Sequence, residues 1–267
     1  MKNVLLLVHS DAGQEARLQA ALDLVRALDG HLMCLDVIQM PVIVGEFYGA
    51  TGEAMLLADE RSREESNRET LDARLAREDV PWNWIEATGE IADCVTRAAG
   101  MADLIVLNRK LDEAAAPDMR EITGRIAIKS RKPIVAVREE VQGFNAAGNA
   151  LIAWDGSEPV MATMKACVPL LKLASAVRLF TVQDGSEGVS AQEAAAYLSR
   201  HDIHPDIASV KDGSRAADEL IMEHCSAWRA DYCLMGAYSR SRVTEALFGG
   251  VTRRMLSLSK LPLVLGR

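Results

Sequence analysis

Short unbroken apolar runs recur along this chain, each followed by a stretch whose apolar residues return at helical spacing. Asn3-Val4-Leu5-Leu6-Leu7-Val8 is matched by Asn149-Ala150-Leu151-Ile152-Ala153-Trp154 at an offset of 146 residues. Runs this short and this apolar fit strands buried on both faces of a parallel sheet. After the first run, Ala16, Leu18, Ala21, Leu22, Leu24, Val25 and Leu28 form a helical stripe. After the second, Met161, Met164, Ala166, Cys167, Leu170, Leu171 and Leu173 do the same. Second strands are expected at His31 to Ile38 and Ala176 to Val182. Helices are expected over roughly 53–79 and 190–200, and third strands near Trp82 to Ala87 and Ile203 to Val210. Each unit then gives a glycine (Gly89, Gly213), a helix and a strand led by Ala-Asp, Asp103 to Leu107 and Asp231 to Met235. A last helix and a Pro-led apolar strand, Pro133 to Val137 and Pro262 to Leu265, close each unit.

One α/β unit is therefore written twice. The alternation predicts two tandem Rossmann-like domains, each a five-stranded parallel sheet joined by right-handed crossovers and covered by helices on both faces. We place them at 1–140 and 149–267. Glu139 to Gly148, with no period and two glycines, is read as the linker.

Bulk properties narrow the function. The 267 residues carry a formal net charge of -8, which argues against nucleic-acid or anionic-membrane binding by bulk charge. No apolar run reaches membrane-spanning length, and the N-terminus has no signal-peptide pattern. The five cysteines show no metal spacing and read as small buried hydrophobes in a reducing compartment. A cytoplasmic protein is expected. The mixed charges from Asp59 to Arg77 fit a solvated helix face, with a partner surface as the alternative. Trp82 and Trp84 share one strand face, which fits packing better than base stacking on an acidic chain.

The candidate chemistry sits in the second copy. Met235 and Gly236 end its fourth strand, at the carboxyl edge where ligands of open α/β sheets lie. Gly249-Gly250 lead into a helix from about Val251 to Lys260, with Thr252 in its first turn. Such a helix start offers unpaired N–H groups and partial positive charge to an anion, and glycines let it approach the backbone. Asp155-Gly156-Ser157 end the first strand on the same edge, where a carboxylate can accept from a ribose hydroxyl or an adenine amine. The bland alternative is that Gly236 only turns a strand and Gly249-Gly250 only start a helix.

Other candidates are weaker. His9 is a conceivable base with no nucleophile to pair with it in the sequence. His201, His204 and His224 lack metal-ligand spacing and fit surface or capping roles. Arg253-Arg254 stand at the positive end of a helix dipole, which a bound anion or plain solvation would offset.

Asp155-Gly156-Ser157, Met235-Gly236, Ser239, Gly249-Gly250-Val251-Thr252 and Pro262-Leu263-Val264-Leu265 together resemble the universal stress protein superfamily, tandem two-domain type. The resemblance implies an adenine nucleotide alpha hydrolase-like fold with the closing strands meeting across a pseudo-twofold contact. It also implies self-association and ATP held by the second copy through Asp155, Gly156, Val182, Met235, Gly236, Ser239, Gly249, Gly250, Val251 and Thr252. The family motif is Gly, two residues, Gly, nine residues, Gly, then Ser or Thr. Here Ser239 replaces the second Gly, and Gly250 stands where the Ser or Thr belongs, removing a hydroxyl ligand. In the first copy His9, Asn108 and Arg120-Glu121-Ile122-Thr123 occupy the matching positions, so no nucleotide is expected there. The rival readings are a ligand-free interaction scaffold and a slow ATP hydrolase. For the latter neither a placed general base nor a metal-binding acidic pair is evident.

Overall fold

The computed structural model describes residues 1–39, 50–111, 118–183, 188–211, 213–237 and 250–267. The first half runs β1 (Asn3–Val8), α1 (Gln14–Leu28), β2 (His31–Gln39), α2 (Ala50–Leu75), β3 (Trp82–Gly89), α3 (Ile91–Ala98), β4 (Leu104–Lys110), α4 (Met119–Ser130) and β5 (Ile134–Arg138). The second half runs β6 (Asn149–Ala153), α5 (Glu158–Ala166), α6 (Val168–Leu171), β7 (Ala176–Val182), α7 (Ala191–Ser199), β8 (Asp206–Val210), α8 (Ala217–Ala227), β9 (Tyr232–Gly236), α9 (Gly250–Leu258) and β10 (Leu263–Gly266).

Two departures from the expected elements have local causes. The first helix of the second half breaks at Cys167, because Pro169 has no N–H to give and crowds the carbonyl one turn back. The third strand there starts at Asp206, after Pro205, while Ile203 is buried in the core ahead of it.

The strands form one ten-stranded sheet in the order β3-β2-β1-β4-β5-β10-β9-β6-β7-β8. Pairing is parallel within each half. The seam is the antiparallel pair β5–β10, with Val135 opposite Val264. The closing strands thus meet inside one chain, across the expected pseudo-twofold contact. Both edges of β5 and of β10 are occupied, by β4 and each other or by β9 and each other. The expected self-association through these strands is therefore corrected: no backbone donors remain there for a second copy.

Successive strand residues face opposite sides of the sheet. Val4, Leu6, Val135, Ile152, Leu234 and Val264 enter one core, while Leu5, Leu7, Ile134, Leu151, Cys233 and Leu265 enter the other. Each core runs through both halves. The linker is packed as well: Phe144 is buried, its N–H donates to Asp23 Oδ2 at 2.9 Å, and its ring lies 4.9 Å from that of Tyr232.

The repeat shows in the clasp at the start of each half. Asp103 accepts from the N–H groups of Lys2 and Asn3, and Asp231 accepts from that of Asn149 at 2.7 Å. Asn3 and Asn149 each return an amide to the loop before that aspartate, to Met101 O and Arg229 O.

Candidate functional site

In each half the strand order reverses direction between the first and fourth strands, β1 and β4 or β6 and β9, and the crevice at their carboxyl ends is the place for a ligand. The two crevices are built from opposite kinds of side chain.

In the first half the crevice is filled. Arg17 of α1 is fully buried and hydrogen-bonds Leu7 O at 3.0 Å and His9 O at 2.9 Å. It pairs with both Asp11 oxygens, at 2.8 and 2.9 Å, and contacts Asn108 Oδ1 of β4. At the start of α4, Asp118 caps the helix by accepting from the Arg120 N–H at 3.1 Å, and the Arg120 side chain pairs with it. That contact holds the Asp118 carboxyl below its ordinary value. This half therefore carries its own cation at the sheet edge and its own anion at the helix start. These contacts add to the Arg120-Glu121 replacement seen in the sequence.

In the second half the aligned residues are short: Asp155, Gly156, Ser157, Thr163 and Gly236 stand for His9, Ser10, Asp11, Arg17 and Asn108. Asp155 is exposed at the end of β6, and its Oδ1 accepts from the Ser157 N–H at 3.0 Å and hydroxyl at 2.6 Å. Gly156 has φ +70°, and a Cβ there would meet Val189 O at 2.6 Å. Its glycine identity follows from backbone conformation and the approach of the 188–189 segment. Gly236 ends β9 against the first turn of α5, where a Cβ would lie 2.7 Å from Val160 N. In the first half this contact is inverted: Asn108 aligns with Gly236, and Gly13, aligned with Pro159, gives way, with Asn108 Oδ1 2.4 Å from where its Cβ would stand. One glycine is required at this crossing in either half, on whichever side yields.

The remaining expected contacts divide. Val182 ends β7, half-buried and paired with Val210. Met235 is buried between Ala153 and Leu265. Val251 is half-buried and Thr252 is 5% exposed, so the threonine hydroxyl is largely withdrawn from solvent. Its counterpart Thr123 donates to Asn108 O at 3.1 Å, a structural use of the same residue. Gly250 is exposed, with open space around a Cβ. Ser239 and Gly249 lie outside the described residues.

The surrounding residues settle several open readings. Arg254 pairs with the buried Asp218 of α8, so part of the charge at the start of α9 is balanced within the chain. His224 stacks on Phe180, ring centroids 4.0 Å apart, and burial together with Arg178 lowers its pKa. His201 lies against the Tyr197 ring, and His204 is exposed. The cysteines are all buried and unpaired. Trp84 packs on α2, donating to Asp72 Oδ1 at 2.6 Å with Arg68 over its ring. The charges of α2 pair with neighbours rather than only facing solvent: Arg68 with Glu86, Arg74 with Glu15.

Two functional candidates escaped the sequence reading. Arg109 sits at an irregularity in β4 between Asn108 and Lys110, and such a bulge re-aims a side chain. Its guanidinium crosses the seam to the C-terminal end of α9, donating to Met255 O at 3.1 Å, Leu256 O at 2.7 Å and Ser259 O. Burial, helped by Arg138, lowers its pKa to about 10, so it stays charged at neutral pH and opposes the negative end of that helix. The second is Glu64, 1% exposed on the supposedly solvated α2. It stands seven and eleven residues before Leu71 and Leu75, on the same buried stripe, and this spacing was the available signal.

Neither a family model nor a curated protein matches the sequence. Solved structures do match. A universal stress protein from Archaeoglobus fulgidus DSM 4304 aligns over 99% of this chain and 96% of its own, with a TM-score of 0.77 at 12% identity. A putative universal stress protein from Pseudomonas aeruginosa UCBPP-PA14 aligns over 99% and 92%, with a TM-score of 0.58 at 13% identity. A functionally unknown protein from Pseudomonas aeruginosa PAO1 gives 0.57 at 13% over the same shares. At such identities the likeness is one of fold: nearly the whole chain has the tandem α/β fold of these universal stress proteins.

Proposed function

We propose that this chain is a cytoplasmic stress-response protein that binds an adenine nucleotide, ATP, through its second half alone. The observation that carries the reading is the contrast of crevices. In the first half Arg17 and Asp118 fill the places of ligand cation and anion. In the second half short residues line the crevice, and the residue before α9, Gly249, has no side chain with which to cap it. In this reading Asp155 accepts from the adenosine end, beside Gly156 and Val182. The start of α9 and the backbone near Gly236, Ser239, Gly249 and Gly250 receive the phosphates.

A ligand-free scaffold is the second reading, and particular contacts favour it. Ala237 N–H already donates to Gly266 O at 2.8 Å, and Gly236 and Thr252 have packing roles. Binding chemistry and no hydrolysis is the simpler expectation, since a general base beside Asp155 is absent from the described residues.

Restoring the motif separates the readings. Gly250→Ser fits without steric cost, since nothing lies near its Cβ. Together with Ser239→Gly it adds a hydroxyl donor, and about 1.5–3 kcal/mol for a hydrogen bond to a charged group is roughly one to two decades in affinity. Calorimetry with ATP on the intact chain should show that tightening. An unchanged affinity would favour the scaffold.

A further inference from the structure

The carboxyl edge of the first half holds a group of side chains that the nucleotide reading does not use. Glu60 and Glu64 stand one turn apart on α2, on the face turned to the sheet, and His9 follows β1 opposite them. His9 Nδ1 is 2.9 Å from Glu64 Oε1 and 4.0 Å from Glu60 Oε1. His9 is 4% exposed; its Nδ1 faces Glu64 Oε1 without a well-aligned hydrogen bond, and Glu60 Oε1 is buried without a donor. One donor atom from each of the three residues lies within 4.8 Å of the others. A buried imidazole nitrogen with two carboxylates drawn towards it, one of them lacking a donor, places three potential ligand atoms around one point.

We propose that His9, Glu60 and Glu64 bind a divalent transition-metal cation, with Zn²⁺ the ion that fits the donors best. One imidazole nitrogen and two carboxylates match the donor preferences of zinc, whereas Mg²⁺ and Ca²⁺ take oxygen ligands. Ligand atoms about 2.0–2.2 Å from a tetrahedral ion sit roughly 3.3–3.6 Å from one another, so Glu60, the farther ligand, would close in by somewhere between half an ångström and about one ångström. Three protein ligands leave a fourth position for water or a small anion.

The groups around the cluster are those of a supported site. The Ser10 N–H donates to Glu64 at 3.0 Å, and Asn67 Nδ2, itself held by Gln14, donates to Glu64 Oε2 at 3.2 Å. Such partners fix the orientation of a ligating carboxylate. The charges facing the cluster are Arg63, whose Nη2 lies 2.7 Å from Glu60 Oε2 and 3.9 Å from Glu64 Oε1, and the buried Asp36, which carries an unpartnered Oδ1. Arg63 is half-exposed and can swing to solvent, so it acts as the counter-ion that a metal displaces. This site is independent of the nucleotide reading, because it lies in the half whose crevice is closed.

The test is equilibrium dialysis of the intact, chelator-stripped chain against Zn²⁺ alone. Wild type should bind one Zn²⁺ per chain and gain thermal stability with it. Glu60→Gln, at the rim of the cluster, should weaken binding by at least about tenfold, the scale on which even outer-shell groups matter, with circular dichroism unchanged. Arg63→Gln should tighten it, which a purely structural role for the cluster does not foresee. Co²⁺ in place of Zn²⁺ should give nitrogen–oxygen ligand-field bands without an intense thiolate band. The proposal fails if folded wild type binds no stoichiometric Zn²⁺, if Glu60→Gln binds like wild type, if Arg63→Gln does not tighten binding, or if the Co²⁺ spectrum reports thiolate.

Discussion

The two halves share a backbone plan and differ at the carboxyl edge of the sheet. In the first, a buried arginine answers Asp11, Asn108 and the carbonyls of Leu7 and His9, and Asp118 caps α4. In the second, Thr163 occupies the arginine's position and donates only to its own helix, to Pro159 O at 2.7 Å. The comparison teaches that the same crevice can be furnished by the chain's own charges or left to short residues. Buried polar groups need partners, and in the first half Arg17 finds them within the chain. It also shows that a glycine at the end of a fourth strand is weak evidence for phosphate. The crossing of strand and helix demands one small residue whether or not a ligand comes, and the two halves place it on opposite sides.

The strongest way to break the comparison is at the seam. Val135 is fully buried opposite Val264, in a core that runs through both halves. Val135→Lys places an unpaired charge there and should cost at least about 4 kcal/mol. Hydrogen exchange should show residues 149–267 losing protection together with the first half. Wild-type protection in the second half would make the halves independent.

Arg109→Met comes next. It leaves the carbonyls of Met255, Leu256 and Ser259 without their donor but also removes a desolvated charge, so the net loss should be about 2–4 kcal/mol. Urea unfolding should show one transition shifted to lower denaturant. A loss confined to first-half probes would refute the bracing of α9 across the seam.

Gly236→Ala should cost about 1–3 kcal/mol with no nucleotide present, because the new methyl meets the α5 backbone. A variant as stable as wild type by thermal melting would restore a purely ligand-binding explanation for that glycine.

The periodic apolar runs made the architecture legible, down to the closing strands, because strands buried on both faces leave no ambiguity of period. Pairing of β5 with β10 inside one chain was expected from the pseudo-twofold resemblance and from the risk of two bare Pro-led edges, and the structure shows it. The site was partly legible. Asp155 is exposed after β6 and Gly250 is exposed at the first position of α9, and the Arg120-Glu121 replacement in the first half was visible in the sequence. What fills the crevice there was not, because Arg17 and Asp118 meet their partners only through the fold. The packing at Gly156 and Gly236 was hidden for a related reason: a sequence shows a glycine but not what lies against its missing side chain. Glu64 was hidden by the charge density of α2, although its spacing to Leu71 and Leu75 marks it as inward-facing.

The central claim, one nucleotide site per chain in the second half, is tested most directly by calorimetric titration of ATP into the intact chain, wild type against Asp155→Ala. Asp155 is exposed, so its removal leaves the fold in place. The account predicts one ATP per wild-type chain and a loss of roughly one to two decades in affinity for the variant. No heat from wild type, two ATP per chain, or equal affinity in the two proteins would contradict it.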